Sequence, residues 1–255
     1  MKTKMLALLF LAIPMLAAPP RVTNGTVQVV PSLAQAQSTA NGWIGYAVAS
    51  AKGFSSCGCS LTTNNNNISR EDDDSPSTVL FFVRMRDGRP DRFRFLSTDC
   101  DVKAGGQTIS WVDNVSERES IAFLKQIADS GTEHVYDGAL LALTFHPGGT
   151  DALIDIARHN PTSGVRGNAL FWLSQAAGQK AAAALRDAVD NDPEESVRAK
   201  AVFGISQLPN DQSIPLLVDL MKHNRSREVR KKAAFWLGQK NDPRALEAIA
   251  EILQQ

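Results

Sequence analysis

Three stretches in the second half of the chain repeat one pattern: GVRGNALFWLSQAA at residues 164–177, SVRAKAVFGISQLP at 196–209 and EVRKKAAFWLGQKN at 228–241. Their Val-Arg pairs begin at positions 165, 197 and 229, at a constant interval of 32 residues. An aligned alanine, phenylalanine and glutamine follow each valine after four, six and ten residues. A fixed period of this size predicts a solenoid of stacked repeats.

Each repeat contains two helical patterns. In the clearest copy they span residues 197–208 and 214–221, and the Pro209-Asn210-Asp211 segment between them breaks the helix because proline cannot continue it. A two-helix unit cannot bury its apolar face alone, so neighbouring units must share a core. A weaker copy begins near Val135. The pattern therefore predicts a solenoid of about four helical hairpins over residues 131–255.

The Val-Arg pairs, the alanine that follows each pair and polar turns such as residues 190–193 resemble HEAT repeats, and among these the bacterial repeats similar to phycobilisome lyases. The resemblance covers roughly residues 131–255 and implies a mostly α protein with a C-terminal α-α superhelix of the HEAT/ARM type. In that family the arginine commonly contacts an acidic or polar group of the neighbouring turn. The resemblance gives this role to Asp190 and Asp192, whereas the turns at 159–160 and 223–224 lack the acid.

A second stripe of residues runs along the repeats beside the core positions. In stacks of this kind the second helix of each pair lines the concave side, which binds partners. We therefore predict a partner-binding ladder, formed by Asn168, Phe171, Gln175, Lys200, Phe203, Gln207, Lys232, Phe235 and Gln239. The alternative is that the three phenylalanines pack in the core and the glutamines satisfy helix-end carbonyls.

The first 18 residues have the composition of a signal peptide. Lys2 and Lys4 precede an apolar run over 5–16 and two small residues, Ala17 and Ala18. The run is shorter than the ~20 residues that span a bilayer, and a basic start before a short apolar core is typical of secretion. We therefore predict a periplasmic or secreted protein with no transmembrane span after removal of this segment.

Residues 19–42 are rich in Pro, Ser, Thr and Gln and are predicted to be a linker with one short strand at 27–30, and residues 43–130 a small N-terminal α+β domain. Its clearest feature is a hairpin with a five-residue turn at 87–91, which would pair Arg86 with Arg92 and Arg84 with Arg94 and separate an apolar face from an arginine face. Arginines directly opposite one another favour an anion, so the hairpin predicts an anion-binding face, formed by Arg84, Arg86, Arg92 and Arg94. The acidic stretch at 71–74 could supply that anion, or the face is simply solvated.

The three cysteines are Cys57, Cys59 and Cys100. In an exported protein we expect one disulfide, between Cys100 and either Cys57 or Cys59. A redox pair at Cys57 and Cys59 is the alternative, but no Lys, Arg or His lies within three residues of the pair to lower a thiol pKa. No second Cys or His pair completes a four-ligand zinc site, and no cofactor is predicted.

The charge balance and the motifs limit the possible functions. Net charge is zero over the 255 residues, and neither half is polycationic, which argues against nucleic acid as a partner. The chain has no nucleophile elbow, zinc helix or P-loop. HEAT-like relatives include deoxyhypusine hydroxylase, which holds iron with His-Glu dipeptides, but none of the four histidines here precedes Glu.

The leading hypothesis is therefore an exported, non-enzymatic scaffold that binds a protein or cell-envelope partner through the solenoid. The alternative is a redox or lyase-type enzyme that uses Cys57, Cys59 or Cys100. A third possibility is that residues 43–130 carry the function as an anion sensor and the repeats only hold that domain in place.

Overall fold

The computed structural model describes residues 18–50, 53–62, 67–69, 77–130, 132–176 and 178–253. The strands are β1 Val22–Thr23, β2 Thr26–Val30, β3 Gly42–Ser50, β4 Ser55–Cys57, β5 Asn67–Ser69, β6 Ser77–Arg86, β7 Arg89–Ser97, β8 Val102–Lys103 and β9 Thr108–Val112. The helices are α1 Leu33–Thr39, α2 Glu117–Ser130, α3 Glu133–Leu143, α4 Gly149–His159, α5 Ser163–Ala176, α6 Gln179–Asn191, α7 Glu195–Gln207, α8 Asn210–His223, α9 Arg227–Gly238 and α10 Pro243–Leu253. Most of the predicted signal peptide, residues 1–17, lies outside the described residues, as does the acidic stretch at 71–74.

The N-terminal part is built on a five-stranded sheet in the order β2-β9-β3-β6-β7. Strand β2 pairs in parallel with β9, and α1 buries Leu33 and Ala36. The predicted linker at 19–42 is therefore wrong, because its residues form an edge strand and a helix of the sheet domain. The short strand expected at 27–30 is present as β2, but its pairing with β9 and the helix that follows it were not expected.

The hairpin of β6 and β7 has a tighter turn than predicted. Asp87 and Gly88 both have positive φ, 52° and 72°. Such a two-residue turn matches the twist of the flanking strands. Arg84 therefore lies opposite Arg92, not opposite Arg94 as predicted, and Arg86 lies opposite Arg89. At Arg84 the register differs from the predicted one by two residues, so the strands keep their two faces there, and an irregularity between Arg84 and Met85 changes the register next to the turn.

Both faces of the sheet are covered. Tyr46, Phe81 and Phe95 belong to an apolar cluster shared with the helices, whereas the other face carries a second cluster centred on Trp43 and Trp111. The predicted disulfide joins Cys100 to Cys59, whose Cα atoms are 5.3 Å apart. It ties the segment before Leu61 to the loop after β7, and Leu61 and Cys100 both pack in the second cluster.

Helices α3 to α10 stack in two layers. In one layer α3 packs on α5, α5 on α7 and α7 on α9; in the other α4 packs on α6 and α8 on α10. The aligned valines and alanines of the repeat are all buried: Val165, Val197, Val229, Ala169, Ala201 and Ala233. The predicted class, a mostly α chain with a helical solenoid and a small α+β part, is confirmed. No helix in the described ranges is long and apolar enough to cross a membrane.

The sheet and the solenoid share one core. A single cluster of buried apolar residues runs from Val30 through Phe95 and Val135 to Ala245. Helix α3 packs directly on β7, and a Cβ added at Gly138 would lie 2.7 Å from the Cβ of Phe93. The predicted boundary at 130/131 therefore does not separate two apolar cores.

Candidate partner-binding surface

An aromatic stripe lies on α5, α7 and α9, formed by Phe171, Trp172, Phe203, Phe235 and Trp236. Phe171 is 36% exposed and Phe235 57% exposed, while the other three are half-buried. Ring centroids are 5.1 Å apart for Phe171 and Trp172 and 5.0 Å apart for Phe235 and Trp236. Phe203 of one repeat also contacts Trp236 of the next at 5.0 Å. The ring contacts therefore continue from α7 of one repeat to α9 of the next.

Polar groups accompany the stripe. Lys200 donates to the Asn168 side-chain oxygen at 2.9 Å, so the two residues join α7 to α5. Gln175 and Gln207 are exposed and donate to the hydroxyls of the serines that precede them, at 3.3 and 3.1 Å. Exposed Gln239 follows α9 as its C-cap, and Lys232 is half-buried. The predicted ladder residues thus lie on one layer of helices.

A cleft of about 520 Å³ opens beside Trp172, between β7 and α3. Arg92 and Arg94 line it on the sheet side, and His134 and Asp137 on the helix side. Trp172 closes it by donating its indole N–H to Asp137 at 2.9 Å. Two residues predicted for anion binding are therefore brought close to the predicted ladder, although they are about 80 positions away in sequence.

The four arginines of the hairpin have different environments. Arg84 donates two hydrogen bonds to Asp91, at 2.6 and 2.8 Å, and Arg86 lies 3.4 Å from the same carboxylate. Arg94 is buried and donates to the Phe93 carbonyl at 2.7 Å. Burial, and then the charges of Arg92 and Arg84, lower the pKa of Arg94 to about 10. Asp91, which is within the hairpin itself, neutralises one end of the arginine face.

The turns between repeats contain the contact that the family resemblance implies. The Arg166 guanidinium donates to both carboxylate oxygens of Asp192, at 2.8 and 3.0 Å. Burial alone would raise the pKa of Asp192, but hydrogen bonds from Arg166 and the Glu194 N–H hold it below its usual value. Asp190, the other residue given this role, instead accepts from Arg186 and Asn224.

Two features of the structure were not predicted from the sequence. The contribution of Trp172 to the stripe was not predicted: its ring packs against the core but is half-buried, and its indole N–H reaches a polar partner on α3. The match of Trp172 to Trp236 at equivalent repeat positions was the available signal. The second feature is the buried chain of Tyr46, Ser120 and His146, which joins distant segments. Among the described residues no group of His, Cys, Asp and Glu is placed to hold a metal ion.

The architecture defines the second half of the chain as a helical-repeat solenoid. Family models for HEAT repeats match residues 150–234, and the model for the PBS lyase HEAT-like repeat matches residues 229–255. These repeats are HEAT repeats, a class that generally mediates protein binding.

Solved structures with a similar fold include human deoxyhypusine hydroxylase in complex with glycerol, at 19% identity and a TM-score of 0.34, over 52% of this chain and 55% of that one. The Escherichia coli protein YibA matches at 18% identity and a TM-score of 0.35, over 54% of each chain. The chain thus spans about half the length of each. No curated protein matches the chain.

Proposed function

We propose that this protein is an exported scaffold that binds a protein of the cell envelope through the aromatic stripe. The observation that carries the proposal is the exposure of Phe171 and Phe235 on one layer of the solenoid. Exposed apolar patches rimmed by polar groups mark interaction sites, and aromatic residues dominate the binding energy of protein interfaces. A HEAT-repeat surface that presents aromatic rings to solvent supports a binding role.

The polar residues beside the stripe suit a polypeptide partner. Gln175, Gln207 and Gln239 offer amide groups, and Lys200 and Lys232 offer amines, all beside the rings. Apolar side chains of a partner would cover the rings, while its backbone carbonyls and carboxylates would accept from the amides and amines. Binding of this kind involves no chemical reaction of the partner, as expected for a scaffold.

Export is supported by two features of the chain. The basic and apolar start of the sequence resembles a secretory signal. The disulfide between Cys59 and Cys100 is of a kind that persists mainly in oxidising compartments. The alternative, a redox or lyase-type activity, would use Cys57, Cys59 or Cys100, and the pairing of Cys59 with Cys100 favours a structural role for these two.

A double substitution of the stripe tests this proposal. In the full chain, Phe171→Ser with Phe235→Ser should abolish retention of the envelope protein captured by the wild type. Both rings are partly or largely exposed, so the free energy of unfolding should change by no more than about 1 kcal/mol. Affinity capture from an envelope fraction, with circular dichroism of each variant, measures both quantities.

The matched control removes a similar apolar side chain from the other layer of helices. Leu246 on α10 is 63% exposed, and Leu246→Ser should leave capture unchanged. If the folded double variant still retains every protein that the wild type retains, the stripe is not the binding surface.

A further inference from the structure

The turns before α5, α7 and α9 are built alike. Asn160, Asp192 and Asn224 occupy equivalent positions, and each side-chain oxygen accepts the backbone N–H two residues later. All three of these hydrogen bonds are 2.9 Å long. The three turns can therefore be compared with one another residue by residue.

The arginines that follow these turns are also placed alike. Nη1 of Arg166 donates to the carbonyls of residues 160 and 161, at 3.0 and 3.3 Å. Nη1 of Arg198 donates to those of 192 and 193, at 2.7 and 2.9 Å, and Nη1 of Arg230 to those of 224 and 225, at 2.7 and 3.0 Å. In each case one nitrogen fixes the guanidinium on its own turn.

The arginines of the first and second turns differ in whether the next turn supplies a carboxylate partner. Nε and Nη2 of Arg166 bind Asp192 of the next turn, and the two side chains are only 9% and 5% exposed. The residue equivalent to Asp192 for Arg198 is Asn224, whose amide donates to Asp190 at 3.0 Å. In the part of the chain that the structure describes, Arg198 forms no salt bridge.

A cleft of about 470 Å³ lies beside Arg198 and Asn224, where the second turn has no carboxylate equivalent to Asp192. Arg198 and Asn224 line it, together with Arg186, His223 and Arg225. Its one acidic lining residue, Asp190, already accepts hydrogen bonds from Arg186 and from Asn224. The cleft is therefore lined by more positive than negative charge, and the Nε and Nη2 edge of Arg198 is its natural anion-binding group.

We propose that this cleft binds an Asp or Glu side chain of an acidic peptide, whose carboxylate occupies the place on Arg198 that Asp192 occupies on Arg166. A planar carboxylate matches the guanidinium fork, and the repeat supplies that geometry one turn earlier. The volume exceeds that of a single carboxylate, so neighbouring peptide residues fit beside Arg225 and His223. The site shares no residue with the aromatic stripe, so it goes beyond the proposed function and does not depend on it.

The test measures peptide binding by the full chain. Two fluorescein-labelled peptides, one of alternating Glu and Gly and one of alternating Gln and Gly, are titrated at low ionic strength and followed by fluorescence anisotropy. The Glu peptide should bind at least about tenfold more tightly, as expected for a charge-assisted bidentate pair. Equal affinity for the two peptides would overturn the proposal.

The decisive variant supplies the carboxylate partner of Arg198 from the protein itself. Asp190→Asn with Asn224→Asp keeps the net charge and places a carboxylate opposite Arg198, as Asp192 stands opposite Arg166. We expect it to weaken binding of the Glu peptide about tenfold, and Arg198→Lys, which keeps the charge but loses the fork, to do the same. Lys180→Gln, an exposed basic residue outside the cleft, is the control and should leave affinity unchanged.

Two outcomes would refute the site. Unchanged affinity in both variants would show that the peptide binds elsewhere. Displacement of the Glu peptide by inorganic phosphate at lower concentrations than by acetate would show that the cleft prefers phosphate, which would overturn the assignment to a carboxylate.

Discussion

Asp192 holds two turns together through one carboxylate. It accepts from the guanidinium of Arg166 and also from the backbone N–H of Glu194, at 2.9 Å. Because its side chain is almost fully buried, removal of its charge leaves the Arg166 guanidinium buried without an anion. The contact is therefore expected to affect stability more strongly than an exposed ion pair would.

Replacement of this carboxylate is predicted to destabilise the protein. Asp192→Asn should lower the free energy of unfolding at neutral pH by about 2–3 kcal/mol, since a buried charge loses its partner. The folded-state pKa of Asp192 lies below its ordinary value. Its contribution is thus fully present above the unfolded pKa of about 3.9 and is lost as the pH falls through the folded-state pKa.

Urea denaturation at pH 7 and at successively lower pH measures this difference. The gap between wild type and Asp192→Asn should narrow in acid. Asp187→Asn removes a more exposed carboxylate that pairs with Arg158 at 3.0 Å, and it should cost no more than about 1 kcal/mol. Equal effects of the two substitutions would contradict the assigned role of Asp192.

At this scale the sequence predicted the type of contact but not each partner. The resemblance to HEAT repeats implied a contact between the repeat arginine and the next turn, with Asp190 and Asp192 as candidates. Asp192 pairs with the repeat arginine, whereas Asp190 lies in the last turn of α6 and accepts from Arg186 on its own helix. Which of two nearby acids turns inward depends on turn geometry, which residue types alone do not specify.

Among the elements, a buried polar chain joins the sheet to the helices. Ser120 Oγ of α2 lies 3.1 Å from Tyr46 Oη of β3 and 2.8 Å from Nε2 of His146, in the segment after α3. Nδ1 of His146 donates to the Ala142 carbonyl at 3.0 Å. Because a carbonyl oxygen can only accept, that bond places a proton on Nδ1 of His146.

The buried His146 is predicted to make the stability of the protein depend on pH. Burial lowers the pKa of His146, an effect that its Ala142 hydrogen bond and the charge of Glu117 only partly oppose. A histidine with a depressed folded-state pKa stabilises fully above its unfolded pKa of about 6.5, and that stability is lost as the pH falls below it. The free energy of unfolding should therefore decrease from pH 7.5 to pH 5.

Chemical denaturation of two histidine variants across this range isolates the effect. His146→Gln should flatten the decrease, while His134→Gln, an exposed residue on α3, should leave it as in the wild type. A wild-type slope that persists in His146→Gln would assign the dependence to another group.

Local signals in the sequence differed in how far they determined the elements. Ser116 and Glu119 have the spacing of a capping box, and they form one at the start of α2: Glu119 accepts from the Ser116 N–H at 3.0 Å and Ser116 Oγ accepts from the Glu119 N–H at 3.3 Å. The hairpin turn was wrong, although Asp87-Gly88 is a sequence suited to a two-residue turn. Capping depends on residues three apart, whereas a strand register depends on which of several turns the flanking residues prefer.

Over the whole molecule, α3 belongs to both halves. The repeat that begins with α3 matches the repeated sequence pattern least well, because one face of α3 packs on β7 instead of on another repeat. Gly138 permits this approach, since any Cβ there would meet Phe93. The 32-residue period could predict the stack, but a period detects only what repeats, so the contact that joins the stack to the sheet could not be predicted from it.

Gly138→Ala tests whether the two halves unfold as one unit. Alanine is favoured over glycine within a helix by about 1 kcal/mol. The added Cβ would lie 2.7 Å from the Phe93 Cβ and 2.9 Å from its Cγ, and overpacking of this kind costs about 1–3 kcal/mol. We expect the clash to outweigh the helix preference and to lower stability in the sheet and in the solenoid together. Gly238→Ala in α9 meets no atom closer than 4.0 Å and should instead stabilise by up to about 1 kcal/mol.

The measurement needs one signal from each half. In a Trp172→Phe, Trp236→Phe background, fluorescence from Trp43 and Trp111 reports the sheet, and far-ultraviolet circular dichroism reports mainly the helices. Since one apolar cluster crosses the junction, both signals should move to lower denaturant concentration by the same amount in Gly138→Ala. Two separated transitions, with only one of them displaced, would mean that the solenoid folds without the sheet and that the shared core does not couple them.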